Sequence, residues 1–158
     1  MKAVSNAGPL IHLDEIKALK ALEIFTRVAI PPAVDKETSK IKKTRINVVQ
    51  LSGEAKNLAK MLMIEYNIDL GEAEAIALAA STGTKTFLTD DLAARDAAKT
   101  QGLEPHGTLG IITRALREGI ISKAEAIEKI EELHKNSTLF LTKDLIDWIK
   151  EEIEKSKK

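Results

Sequence analysis

The fold of this chain is decided by the stretch Lys85-Thr86-Phe87-Leu88-Thr89-Asp90-Asp91. A short apolar run ends there at two acidic residues, and a helical pattern follows from Leu92 to about Gln101. A strand that leads directly into a helix is the repeating unit of a parallel sheet with helices on both faces. Ligands of such sheets bind beyond the carboxyl ends of the strands, so the position of Asp90 and Asp91 predicts a functional site at that edge.

The same strand and helix unit recurs on either side of this stretch. Strands are predicted over residues 3–5, 27–30 and 85–89, and residues 46–49 fit either a short strand or an extended loop. Helices are predicted over residues 10–22, 33–40, 52–66, 72–81, 92–101, 108–117, 122–134 and 141–155. We therefore expect an α/β fold, a three-layer α/β/α sandwich with a mostly parallel central sheet. One domain over residues 1–158 is expected, with residues 122–158 as a C-terminal helical extension.

The amino-acid composition excludes several classes of protein. The 158 residues include 24 Lys and Arg, 24 Asp and Glu, and no cysteine, which excludes disulfides and thiolate metal sites. No signal sequence or membrane-spanning apolar segment is recognisable, so a cytoplasmic protein is expected. Zero net charge argues against a protein that coats nucleic acid through excess positive charge. Nucleic acid remains a candidate substrate, because an acidic metal pocket offsets basic residues that grip the backbone.

Acidic residues near the predicted strand ends suggest a divalent metal site, because Mg²⁺ and Mn²⁺ prefer hard oxygen ligands. Glu72 and Glu74 lie about 200° apart around a helix axis, so only one of them can face the pocket. Each acidic residue also has an ordinary structural interpretation, as a helix cap, a charge at a helix N-terminus or a solvated side chain. The candidates are Glu37, Glu72, Glu74, Asp90 and Asp91, with Asn6 as a carbonyl donor.

Four segments, each with a candidate site residue, follow one another along the chain. They are Val4-Ser5-Asn6-Ala7-Gly8-Pro9-Leu10-Ile11, Ile30-Pro31-Pro32-Ala33-Val34-Asp35-Lys36-Glu37, Leu70-Gly71-Glu72-Ala73-Glu74-Ala75-Ile76-Ala77-Leu78-Ala79 and Phe87-Leu88-Thr89-Asp90-Asp91-Leu92-Ala93-Ala94-Arg95. Together they resemble the PIN-domain ribonucleases, especially the VapC-like toxin branch that is described as a domain of unknown function in archaea and bacteria. The resemblance runs over about residues 3–121, where Gly107-Thr108-Leu109-Gly110-Ile111-Ile112 and Gly119-Ile120-Ile121 also fit it.

The resemblance implies a carboxylate pocket that holds Mg²⁺ or Mn²⁺ and cleaves RNA endonucleolytically. It makes Glu37, Glu72 and Asp91 the acidic metal ligands, with Asp90 as a neighbouring ligand or a group that supports one. It gives the Thr89 hydroxyl the role of supporting the loop. It also implies a homodimer and an antitoxin protein as partner.

One position departs from the family pattern, because Asn6 stands where most PIN nucleases have their first Asp. The amide removes a negative charge and weakens metal binding, although its carbonyl oxygen can still serve as a ligand. The leading hypothesis is a metal-dependent endoribonuclease, in which Lys42, Lys43, Arg45 and Arg95 position the RNA. Its predicted catalytic residues are Asn6, Glu37, Glu72, Asp90 and Asp91.

Two other functions compete with this hypothesis. An inactive PIN-like module that binds a partner in a toxin-antitoxin or RNA-processing assembly fits the amide of Asn6. A phospho-acceptor domain would use Asp90 and Asp91 as an acidic pair, but an acceptor Asp and a partner Lys lack convincing positions.

Overall fold

A computed structural model describes residues 1–156, so residues 157 and 158 of the predicted C-terminal extension lie outside the described residues. The chain divides into two compact units. The first unit contains Met1–Ile11 and Phe25–Gly107, and the second contains His12–Ile24 and the residues from Thr108 onward. The expectation of one domain over residues 1–158 stays a prediction.

The first unit is built on a five-stranded sheet in which every pair of neighbouring strands is parallel, in the order β3-β2-β1-β4-β5. The predicted α/β fold with a mostly parallel central sheet and surrounding helices is confirmed. The strands are β1 (Lys2–Ser5), β2 (Arg27–Ile30), β3 (Ile46–Val48), β4 (Thr86–Leu88) and β5 (Glu104–His106). The helices up to the fifth strand are α1 (Ala7–Glu15), α2 (Pro32–Glu37), α3 (Gly53–Tyr66), α4 (Leu70–Ser81) and α5 (Leu92–Thr100).

Local sequence signals explain the helices that frame the sheet. The Ser52 side chain accepts a hydrogen bond from the Ala55 backbone N–H and caps α3, as its position before the apolar pattern predicts. The body of α4 consists mainly of alanine and other apolar residues and is buried on almost every side. Since small side chains let a helix lie close to its neighbours, α4 packs against α3, α2 and the sheet.

Three features of the structure differ from the prediction, and the first is that the helix predicted over residues 33–40 ends at Glu37, where a turn begins. The helix expected over residues 10–22 ends at Glu15, because Lys17 has a left-handed backbone with φ of 56°, and a 3₁₀-helix follows at Leu19–Ile24. Strand β5 was not predicted, since it contains Pro105 and has no apolar run. Pro105 is tolerated because β5 lies at the edge of the sheet and pairs only with β4.

The second unit contains the 3₁₀-helix and three helices, α6 (Thr108–Arg117), α7 (Lys123–Asn136) and α8 (Lys143–Lys155). Helix α7 begins with a capping box between Ser122 and Glu125. The Lys129 ammonium donates to the Ile16 carbonyl, with 3.0 Å between Nζ and O, which ties α7 to the preceding chain. In the described part of the chain, no helix combines the length and the apolar character needed to cross a membrane.

Candidate functional site

The carboxyl ends of β1 and β4 meet, because these strands are neighbours and Ser5 pairs with Leu88. The Asn6 backbone N–H donates to the Leu88 carbonyl at 2.9 Å, so the residues that follow the two strands lie side by side. Asn6 is buried, and its Nδ2 donates to the Thr89 hydroxyl at 3.4 Å. Its Oδ1 accepts from the Ala7 backbone N–H at 2.9 Å. Both ends of the Asn6 amide are therefore used in joining β1, α1 and β4.

The buried Thr89 hydroxyl links this junction to the loop after β4. Its Oγ1 accepts from the Asp91 backbone N–H at 3.2 Å as well as from Asn6. The Asp91 carboxylate caps α5, since its Oδ2 accepts from the Ala94 backbone N–H at 2.8 Å. The structural interpretation of Asp91 as a helix cap is thus correct, and the same carboxylate also faces the start of α4.

Three carboxyls meet at the start of α4. Asp69 caps this helix and accepts from the Glu72 backbone N–H at 2.9 Å. Burial raises the pKa of Glu72 to about 8, helped by hydrogen bonding with and repulsion from the carboxyls of Asp69 and Asp91. In the described residues, Glu72 Oε2 is buried and has no hydrogen-bond partner. Such an oxygen is costly to leave unpaired unless a cation or a water reaches it.

Glu37 approaches the same helix end from α2. Its carboxylate lies directly against the Cα of Gly71, because a Cβ built on Gly71 would overlap Glu37 Oε1. Burial raises the pKa of Glu37, and repulsion from Asp69 adds to the effect. We call Glu37, Asp69, Glu72 and Asp91 the acidic cluster.

Glu74 faces away from the acidic cluster. Its Oε1 accepts from the Ala33 backbone N–H at 3.0 Å and thereby satisfies the first turn of α2. The two-residue separation on the helix explains this, since it turns Glu74 about 200° away from Glu72. That only one of the pair faces a metal site stays a prediction, and the structure gives Glu74 a backbone amide as its partner.

Asp90 lies in different surroundings from Asp91. A Cβ built on Gly107 would come within 2.9 Å of Asp90 Oδ1 and 3.2 Å of an Arg95 terminal nitrogen, so both side chains lie against this glycine after β5. The carboxyls that raise the pKa of Glu72 do not include that of Asp90. In residues 1–156, Arg95 Nε is a buried donor without a hydrogen-bond partner. The structure thus places Asp90 beside a guanidinium.

The Lys43 side chain is fixed by contacts with nearby residues of the first unit. Its ammonium pairs with Asp35 at 3.3 Å and donates to the Thr38 carbonyl at 2.5 Å. Lys42 and Arg45, which were predicted to position RNA with it, are exposed. Of these three basic residues, Lys43 is therefore the one whose charge is already neutralised by the protein.

Sequence analysis missed Asp69 as a member of the acidic cluster. The usable signal was the spacing Asp69-x-x-Glu72, in which a residue that caps a helix precedes a glutamate by three positions. This spacing is common at ordinary helix starts, so it does not by itself indicate a functional role. Only the approach of Glu37 and Asp91 to the same point distinguishes it.

A family model described as DUF3368, PIN domain, matches residues 2–155, almost the whole chain. The chain belongs to the PIN-domain family. Membership of this family indicates a nuclease fold in general, and PIN domains generally use divalent metals. No match was found among curated proteins, and none among solved structures.

The acidic cluster of this PIN domain fits a divalent cation in its chemistry. It offers hard carboxylate oxygens. The buried Oε2 of Glu72 has no hydrogen-bond partner among the described residues and could serve as a metal ligand. Within the described ranges, no three acidic or histidine side chains stand close enough together to hold a metal ion as they are. Binding therefore requires the flexible carboxylates to move towards one another.

Proposed function

We propose that this PIN domain is a metal-dependent endoribonuclease of the VapC-like branch, which hydrolyses phosphodiester bonds of RNA. The observation that carries the proposal is the half-buried Glu72 carboxyl, which has an unpartnered oxygen beside Asp69 and Asp91. Burial and repulsion from the neighbouring carboxylates raise the pKa of Glu72 and oppose its ionisation, and a bound cation relieves the repulsion. A site of this kind gains more from a divalent cation than a set of well-paired carboxylates does.

In this proposal, Glu37, Glu72 and Asp91 hold Mg²⁺ or Mn²⁺. When bound, the ion supplies activation of water and neutralisation of charge on the scissile phosphate. Asn6 acts as a positioning residue, because its amide fixes the Thr89 hydroxyl that accepts from the Asp91 backbone.

Two further groups complete the proposed site. Asp90 orients the Arg95 guanidinium beside Gly107, and Arg95 then binds a phosphate of the RNA. Asp90 is thereby given a supporting role rather than that of a direct metal ligand.

The direct test is cleavage of a fluorescent single-stranded RNA by the purified protein with Mn²⁺, Mg²⁺ or EDTA. We expect internal cuts with either metal and none with EDTA. Intact RNA under all three conditions would contradict the proposal.

A second candidate function is a catalytically inactive PIN module that binds a partner. It is favoured by Asn6, whose amide replaces a carboxylate and is already hydrogen bonded at both ends. The two functions predict different metal binding and RNA cleavage when residue 6 is given a carboxylate.

Asn6→Asp is expected to raise the affinity for Mn²⁺ and the rate of RNA cleavage by about tenfold each, because it adds a hard anionic oxygen near the cluster. The fold should tolerate it, since one carboxylate oxygen can still accept from Ala7 and the Thr89 hydroxyl can turn to donate to the other. Calorimetric titration with Mn²⁺ and the RNA assay measure the change. Asn57→Asp on the exposed side of α3 is the matched control, and equal effects of the two variants would remove Asn6 from the metal site.

Gly71→Ala tests the position of Glu37. The added methyl group must push the Glu37 carboxylate aside, and this costs little stability because the moving atoms are the end of a flexible side chain. We expect a folded protein, stabilised by up to about 1 kcal/mol through helix propensity, with Mn²⁺ affinity reduced several-fold. Gly53→Ala is the matched control, since a Cβ there meets nothing within 4 Å. An unchanged Mn²⁺ affinity in Gly71→Ala would show that Glu37 is not a ligand.

The VapC-like assignment also carries proposals about partners and location. We propose a cytoplasmic homodimer that is inhibited by an antitoxin protein. Leu70 and Leu92 support a protein partner near the site, because these exposed apolar side chains follow Asp69 and Asp91 directly in the sequence.

A further inference from the structure

A second polar site lies at the amino-terminal edge of the sheet, at the opposite ends of the strands from the acidic cluster. It is a groove of about 510 Å³ within the first unit. Lys2, Arg27 and Lys85 line it, and we call it the basic groove. Neither the proposed cleavage reaction nor the family assignment accounts for it.

Strand register places the three cations side by side. Lys2 of β1 is paired with Arg27 of β2. On the other side of β1, Ala3 is paired with Thr86, so Lys85 stands level with Lys2. Like charges directly opposite each other on neighbouring strands are destabilising. This row is therefore unfavourable unless something negative lies across it.

The protein does not supply that negative charge. None of the side chains that line the basic groove is acidic. Among the ion pairs of the described residues, none involves Lys2, Arg27 or Lys85. All three residues are exposed, so their charges are available to a ligand from solvent.

The rest of the lining suits an anion of phosphate size. Its other polar side chains are the neutral hydroxyls of Thr82, Thr84 and Thr86. The small side chain of Ala29, on the same face of the sheet as Lys2 and Arg27, leaves room for the ligand to lie close to the sheet.

The end of α4 at this groove presents few free carbonyl groups. The Thr82 backbone and hydroxyl both donate to the Leu78 carbonyl, and the Thr84 backbone donates to the Ala79 carbonyl. These bonds occupy carbonyl oxygens at the negative end of the helix and so weaken their repulsion of an anion.

We propose that the basic groove binds phosphate groups, either those of an RNA backbone that extends beyond the cleavage site or those of a free polyphosphate. Three cations in a row match successive phosphates, and none of the other side chains that line the groove adds a negative charge. The groove is independent of the metal site, so phosphate binding does not require cleavage activity.

The test measures binding in EDTA, where metal-dependent cleavage does not occur. Anisotropy of a labelled single-stranded RNA 12-mer gives the RNA affinity, and inorganic pyrophosphate serves as a competitor and as a calorimetric ligand. The groove variant is Lys2→Gln, Arg27→Gln and Lys85→Gln combined, and Arg27→Glu alone is a second, milder variant. The matched control changes Lys56, Lys60 and Lys99 to Gln, which are exposed helical residues outside the groove.

We expect the groove variant to bind RNA about tenfold or more weakly than the control, with the logarithmic salt slope reduced by about 2. Arg27→Glu should weaken binding in the same direction. Competition by pyrophosphate would assign the groove to free polyphosphates as well, and the absence of competition would assign it to the RNA backbone. Equal RNA affinities of the groove and control variants, together with no pyrophosphate binding by the unmodified protein, would overturn the proposal. Because no metal is present, this failure would leave the proposed nuclease function intact.

Discussion

Glu72→Gln is expected to lower Mn²⁺-dependent cleavage of single-stranded RNA by about 100-fold or more. Glutamine keeps the shape of the side chain but cannot ionise, and Glu72 is the acidic group that has a buried, unpartnered oxygen and lies between two carboxyls. Loss of a ligand at a metal site removes both metal affinity and charge neutralisation at the phosphate. The rate is measured with saturating RNA over a range of Mn²⁺ concentrations.

The controls separate chemistry from folding. Glu65→Gln changes an exposed glutamate on α3 and should cleave at the unmodified rate. Asp91→Asn should lose activity as Glu72→Gln does while keeping α5 intact, because asparagine caps helices as well as aspartate. Full activity in Glu72→Gln would rule out the acidic cluster as the catalytic centre.

The metal-free protein is expected to lose stability as the pH rises from about 4.5 to about 8. The pKa of Glu72 is 4.5 when unperturbed and is raised to about 8 in the folded state. The folded state therefore holds a proton that the unfolded state has released, so its stability is highest at low pH and falls as Glu72 ionises. Glu37, whose pKa is also raised, acts in the same direction.

Glu72→Gln should remove most of this dependence. Because Glu72 is only half-buried, solvent screening reduces the effect well below the full pKa difference, and we expect a gain of about 1 to 2 kcal/mol over the unmodified protein at pH 8.5. Near pH 4.5 the two proteins should be equally stable. Urea unfolding in EDTA at both pH values measures this, with Glu65→Gln as the control.

Addition of Mn²⁺ provides a second check on the same carboxyl. The unmodified protein should regain stability at pH 8.5 when Mn²⁺ is added, since the ion supplies a positive charge beside the ionised carboxylates. Glu72→Gln should gain much less. Parallel pH profiles of the two proteins in EDTA would show that Glu72 is not the group that titrates.

Local sequence patterns were sufficient for most of the fold. Strand β2 and helix α6 were predicted with their observed bounds, and the cap of α3 at Ser52 was also predicted. These features depend on neighbours within a few positions, which periodicity and capping rules describe well. Strand β5 was not predicted, because its pairing with β4 is a tertiary contact that outweighs the poor strand propensity of its own residues.

The residue pattern along the chain was enough to predict that acidic residues follow the strands and begin the helices of an α/β fold. The family resemblance puts Asn6 where an aspartate is usual, and the helix repeat predicts that only one of Glu72 and Glu74 faces the site. Only the folded chain shows that Asp69 joins the acidic cluster and that Asp90 lies beside Arg95 instead. The physical reason is that burial and repulsion between carboxyls depend on distances in space, and residues far apart along the chain set those distances.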